Sequence, residues 1–267
     1  MTEKFEKYLL ERDLSDNTIR AYLYALRQFK GRYTSPTKRN LREHKDWLTE
    51  HYRPRTVNLR LRAINCYLES IGKENLRLKF IRIQQKSFAE KVISEADYDY
   101  FKTRLKEEGE LYWYFIIRFL AATGLRVNEL IRLKVEDVKT GHLDIYSKGG
   151  KVRRIYIPKL LQEETLFWLG EKHQKSGFLF LNRYGNPITS RRISGQLKKY
   201  AVRYHIDPEV VYPHSFRHRF AKNFIERSND IAFLADLMGH ENIETTRVYL
   251  RKTGAEQKEL VDRIIDW

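Results

Sequence analysis

Pro213 is followed by His214, Ser215, Phe216, Arg217 and His218, a dense run of proton-transfer and anion-binding side chains. A proline at the first helical position and one-turn spacing predict a helix that brings His214, Arg217 and His218 close together. The free N–H groups and positive dipole end of such a helix add to the guanidinium charge, so the site suits an anion such as a phosphate. A zinc site made from His214 and His218 with His205 or His240 is the competing chemistry. Arg217 would repel the cation, and the Glu that metalloproteases place between such histidines is absent. A second arginine, Arg126, stands in AATGLRVNEL after Gly124 and opens a helix carrying Glu129, Leu130 and Leu133. By itself it reads as a structural arginine paired with Glu129 one turn on. Together with Arg217 it makes two planar forks, each matched to non-bridging phosphate oxygens better than a lysine would be. In MGHENIETTRVYL, His240 follows a glycine break and Tyr249 comes nine residues later.

The elements that must hold these residues are mostly helical. Ile19, Tyr22, Leu23, Leu26 and Phe29 share one helical face behind Ser15, a candidate N-cap. Val57, Leu61, Ile64, Leu68 and Ile71 repeat that pattern behind Thr56 and end before Gly72, and a weaker helix covers 38 to 51. The segment from Leu76 to Glu90 is too apolar for a flexible linker and too short for another helix, which predicts an extended connector and a domain boundary. Ser94 with Asp97 reads as a capping box, and ELYWYFIIRFLAATG as a buried helix stopped by Gly124. HLDIYS and KVRRIYIP flank a Gly-Gly turn and predict a β-hairpin, with FLFL at 178 to 181 a further short strand. Helices are expected at 160–174, at 190–203 after Ser190, at 215–227, at 230–238 and near the C-terminus.

Composition narrows the partner. The 267 residues hold 51 Lys and Arg against 35 Asp and Glu, a net charge of +16, with 42% apolar residues for a core. Residues 1 to 90 carry +9 of that excess, and Arg20, Arg27, Lys38, Arg39, Arg53, Arg55, Arg60 and Arg62 lie on the polar faces of the helices there. A helical bundle with such a face can track phosphates. The single cysteine, Cys66, excludes an intramolecular disulfide and a thiolate cluster, and is expected in the core. Charges interrupt the N-terminal MTEKFEKYLLERD, and no apolar run reaches the roughly 18 residues of a membrane span, so a cytoplasmic protein with no membrane partner is expected.

ATGLR, a hairpin lysine, HxxRH, and GH followed by Tyr, in that order, resemble the tyrosine recombinase or phage integrase family over residues 90 to 255. LSDNTIRAYLYALRQF near the start is similar to the family's helical core-binding domain. The resemblance implies a mainly α fold: a helical SAM-like core-binding domain at 1–82, a linker at 83–89, and a mostly helical catalytic domain with a small antiparallel sheet at 90–267. It implies a site made of Arg126, Lys148, His214, Arg217, His240 and the nucleophile Tyr249, with no metal and no cofactor. Two departures are SKG in place of GKG and HSFRHRF in place of HxLRHTF. Lys151, three residues from Lys148, is an alternative for the hairpin lysine. Arg247 and Arg251 read as DNA-backbone contacts or solvated charges.

The implied chemistry is transfer of a DNA strand to Tyr249 through a 3′-phosphotyrosyl intermediate, independent of metal and ATP. Double-stranded DNA held between the two domains, and self-association into a tetramer on two sites, are implied by the same resemblance. Leu260, Val261, Ile264, Ile265 and Trp267 form an apolar stripe suited to a neighbouring subunit or to the helix's own domain. A compact Xer-type resolvase and an element-borne integrase both fit the length. A type IB topoisomerase shares the nucleophile but relaxes supercoils without exchanging strands. A non-catalytic DNA-binding regulator is the reading from another class, and would have lost Tyr249, Arg126 or Arg217.

Overall fold

The computed structural model describes residues 2–83, 92–146, 152–240, 242–247 and 254–265. The chain divides into two compact units, Met1–Gln85 and Lys86–Trp267.

Among the described residues of the first unit, all the regular structure is helical. It opens with α1 (Thr2–Glu11), which sequence patterning did not single out because charges break its apolar runs, although Phe5 and Leu9 are buried one turn apart. Next, α2 (Asp16–Lys30) is capped by Ser15, whose side chain accepts from the Thr18 amide, and buries Ile19, Tyr22, Leu23, Leu26 and Phe29. Then come α3 (Lys38–His51), capped by Thr37, and α4 (Pro54–Ser70). The last of these is capped at Arg53, three residues before the expected Thr56, because Pro54 takes the first-turn position where a missing N–H costs nothing. Cys66 is buried in this core. After a short 3₁₀ turn at Glu74–Leu76 the chain runs without helix or strand to Ile83.

Two asparagines of α4 hold this run. Asn65 donates to the Leu78 carbonyl at 2.9 Å and accepts from its amide at 2.8 Å, and Asn58 makes the same pair of bonds with Ile81 at 2.9 Å each. Seven helical residues rise about 10.5 Å, and three extended residues span about 10 Å, so the two amides meet the chain in register.

The second unit is built around α6 (Leu111–Thr123). That helix comes after α5 (Glu95–Glu107), which Ser94 caps by accepting from the Asp97 amide at 3.0 Å. Being apolar nearly all round, α6 is surrounded: Phe115, Ile116, Ile117, Phe119 and Leu120 are at most 3% exposed. Its one charge, Arg118, pairs with Glu164 at 3.1 Å. The helix expected after Arg126 is two short ones, α7 (Val127–Leu130) and α8 (Val135–Thr140), with Leu133 between them. The hairpin is formed by β1 (His142–Tyr146) and β2 (Val152–Tyr156), antiparallel with Ile145 opposite Arg153; its turn lies outside the described residues.

Beyond the hairpin lie α9 (Lys159–Glu171) and α10 (Ser190–Arg203), the latter capped by Thr189 rather than Ser190. Between them, 178–181 is not a strand. Phe178 and Leu181 form isolated bridges to two separate partners, Lys134 and Pro187, so no continuous ladder exists and the described sheet has two strands. The chain then forms α11 (Pro213–Ser228), α12 (Ile231–Met238), the unanticipated one-turn α13 (Ile243–Arg247) and α14 (Gly254–Ile264). Among the described residues, no helix is long and apolar enough to cross a membrane.

Candidate active site

Two left-handed glycines set the backbone of the site. Gly124 (φ +65°) ends α6, and a Cβ there would collide with the Phe220 ring of α11. Gly239 (φ +61°) ends α12, and a Cβ there would collide with the Arg153 guanidinium. Both glycines are required twice, for their dihedrals and for close approach. Each break is succeeded by a functional candidate: Arg126 after the first and His240 after the second.

Arg126 takes the N-cap position of α7 and is held by Glu129, whose carboxylate accepts from the Arg126 amide at 2.7 Å and from its Nη1 at 3.0 Å. Its Nη2 donates to the Gly239 carbonyl at 3.3 Å. Arg217, on the second turn of α11, is 1% exposed. Its Nη1 donates to the Gly124 carbonyl, and its Nη2 to the Met238 carbonyl at 2.6 Å. The two guanidinium groups therefore converge on consecutive carbonyls at the C-terminus of α12, the negative end of that helix.

His240 lies beside them, with Nε2 3.3 Å from Arg217 Nη2 and Nδ1 2.9 Å from the Thr246 hydroxyl. A guanidinium can only donate, so Nε2 accepts and the ring proton sits on Nδ1, donated to Thr246. Burial and the charges of Arg217, Arg126 and Arg153 push His240 down to about 4, so the ring is neutral at pH 7. His214, exposed on the first turn of α11, is also lowered, by desolvation and then by Arg217 and Arg126. A neutral imidazole at that place is able to accept a proton. His218, with its ring 5.9 Å from that of His214, is pushed down to about 4 by burial, His214 and Arg217. Among the described residues no three His, Cys, Asp or Glu side chains gather as a metal site, and His205 joins no such group.

The model of the Phage integrase family matches residues 90–256. The chain is 33% identical to the tyrosine recombinase XerA of Pyrococcus furiosus, over 98% of this chain and 92% of that protein. The chain belongs to the phage integrase family. It is a tyrosine-type site-specific recombinase. It is also 28% identical to the tyrosine recombinase XerD of Vibrio cholerae, over 94% of this chain and 90% of that one. Its fold is similar to that of the Tn1549 transposon integrase in complex with circular intermediate DNA (TM-score 0.74, 19% identity, 99% of both chains). It is likewise similar to XerH bound to its difH substrate (TM-score 0.73, 20% identity, 98% of this chain and 84% of that one).

Of the six site residues that the sequence assigns to this recombinase, Arg126, Arg217 and His240 are joined by hydrogen bonds to one another or to the 238–239 turn, and His214 stands on the same helix as Arg217. Lys148 and Tyr249 lie outside the described residues, as do Lys151 and Arg251. The backbone of α13 ends at Arg247, two positions before Tyr249. Sequence reasoning missed Arg153 and Thr246. Arg153 had a signal: in a strand with period two it shares a face with Ile155 and Ile157, both buried, while Arg154 faces out and pairs with Asp144 at 2.7 Å. Thr246 had none, since it lies on a one-turn helix that no periodicity marks.

Proposed function

We propose that this recombinase breaks and rejoins DNA through a 3′-phosphotyrosyl intermediate on Tyr249, with residues 1–82 as the core-binding domain and 90–267 as the catalytic domain. The reading rests on one observation above all: Arg126 and Arg217, 91 positions apart in the chain, donate to adjacent carbonyls beside His240. In a complex their remaining N–H groups grip the non-bridging oxygens of the scissile phosphate and neutralise the charge that grows in the pentacovalent transition state. His240 donates to the same phosphate once its proton moves to Nε2.

A free phenol has a pKa near 10, so only about one Tyr in a thousand is ionised at neutral pH. His214, held neutral, takes the Tyr249 proton as the phenolic oxygen bonds to phosphorus. The bond from phosphorus to the 5′ oxygen breaks, and Lys148, or Lys151 from the same turn, gives that oxygen a proton. An incoming 5′ hydroxyl reverses the sequence without ATP, because the phosphotyrosyl bond retains the energy of the bond it replaced. Guanidinium charge does the work a metal would otherwise do, so chelators leave the reaction intact.

Double-stranded DNA is the substrate, acted on in the cytoplasm, and a tetramer on two sites exchanges the strands. The identity shared with XerA and XerD over most of each chain supports an Xer-type enzyme. The test begins by selecting bound sites from a random duplex library. Nicked half-sites from that pool are then incubated with the protein and resolved on a denaturing gel. A covalent adduct is expected, absent in Tyr249→Phe with DNA binding unchanged; an undiminished adduct in that variant refutes the nucleophile.

A further inference from the structure

Arg153 is an arginine to which strand transfer, as derived for this site, gives no role. Its side chain is 9% exposed, on a two-stranded hairpin where the neighbouring Arg154 is 49% exposed. A guanidinium is retained in so dry a place only with strong partners. Arg153 has two, both belonging to the site. Its Nη2 donates to Glu129 Oε2 at 2.7 Å, on the carboxylate that also holds Arg126. Its Nη1 donates at 2.6 Å to the Met238 carbonyl, which also accepts from Arg217. The bare α-carbon of Gly239 covers it, since any Cβ there would overlap the Arg153 side chain.

The two ends of this side chain lie in different parts of the site. Its backbone belongs to β2, two residues after Lys151 and five after Lys148. Its guanidinium belongs to the cluster of Arg126, Arg217 and His240. We propose that Arg153 is a positioning residue that registers the lysine-bearing hairpin against the phosphate-gripping arginines, so that proton delivery to the 5′ oxygen depends on it. A lysine at 153 would not replace it, because one ammonium lacks the planar fork that reaches Glu129 and Met238 at once. The inference rests on the reading that a hairpin lysine is the general acid.

The experiment measures single-turnover adduct formation on two nicked half-sites that differ in one atom. One carries the ordinary 5′ oxygen at the scissile position, and the other a bridging 5′ sulfur, whose thiolate leaves without a proton. With the oxygen substrate, Arg153→Ala and Arg153→Lys are expected to slow adduct formation by about 10²-fold, the scale of a misplaced catalytic group. With the sulfur substrate both variants return to within about threefold of the unmodified protein, because the step that needs the lysine has been bypassed. Arg154→Ala, on the outer face, runs at the unmodified rate on both.

DNA binding and thermal melting are recorded for every variant, and Arg153→Lys keeps the test valid should Arg153→Ala fail to fold. Equal slowing on both substrates assigns Arg153 to the phosphate grip or to folding and overturns the proposal, as does no slowing on either. The double variant Lys148→Ala, Lys151→Ala separates the underlying reading. If sulfur does not rescue that variant, the hairpin lysines are not the acid and the reading of the lysine fails, whatever Arg153 does.

Discussion

Arg217 is buried, with both Nη atoms bonded to backbone carbonyls, and its contribution depends on shape as well as charge. Arg217→Lys keeps the charge but cannot donate to Gly124 and Met238 together, and adduct formation on nicked half-sites is expected to fall by about 10²-fold or more. A second residue-scale prediction concerns pH. His44 is 0% exposed, both ring nitrogens lack a hydrogen-bond partner, and burial with the charges of Arg32 and Arg60 pushes it down to about 4. An unfolded histidine titrates near 6.5, so between those values the unfolded chain binds a proton the folded one refuses. Stability is full above about 6.5, falls as pH drops toward about 4, and levels off below, a loss on the order of 3 kcal/mol from this residue. His218 and His240, also near 4, add in the same direction. Urea midpoints from pH 7.5 to 4.5 will show the slope, and His44→Leu is expected to flatten it while leaving stability at pH 7.5 equal or higher, because it removes two unsatisfied polar atoms. An unchanged slope in that variant means His44 takes up its proton at the same pH in the fold as in the unfolded chain.

At the scale of elements, the site is a junction of helix ends, and the glycines there are more costly to replace than glycines with the same dihedrals elsewhere. Gly239→Ala combines left-handed strain with a collision against Arg153, together about 2–4 kcal/mol. Gly185 has φ +77° but open space around it, so Gly185→Ala is expected to show the strain alone, about 1 kcal/mol. Chemical denaturation of the two variants checks the difference. The same distinction between local and tertiary causes explains what the sequence could reveal. The stop signals at Gly124 and Gly239, the Ser15 and Ser94 caps and the nearly all-apolar α6 are local properties, readable from residue types within one turn. Arg126, Arg217 and His240 were legible as a set through the family resemblance, since nothing local states that positions 126, 217 and 240 meet. The 178–181 segment misled because its apolar run has strand composition, while the choice of partner, which decides whether a ladder forms, is tertiary. The burial of Arg153 was latent in strand parity, but adjacent arginines read as surface charge until Glu129 and Met238 are seen on one side of the sheet.

For the whole molecule, the excess of basic residues should appear as a steep loss of DNA affinity with salt. Arg20, Arg27, Arg53, Arg55 and Arg62 are exposed, whereas Arg60 lies over the Tyr52 and Tyr24 rings and donates to Gln28. Replacing Arg62 by Ala is therefore expected to lower the salt slope of binding by about 1 if it meets a phosphate, and Arg60→Ala to lower stability instead. Binding titrations at several salt concentrations, with a melting curve for each variant, distinguish the two. Mixing two differently labelled duplexes that carry the selected site should yield recombinant products, where a topoisomerase would only relax supercoils. The asparagine pairs on α4 have a consequence for how this chain tolerates changes of length. Because Asn58 and Asn65 read backbone positions three apart, one residue added or removed between Leu78 and Ile81 leaves at most one amide with its partner. An indel there undoes a helix-to-strap register that evolution or an engineer would have to rebuild, and spacer variants of this enzyme belong on the far side of Ile83.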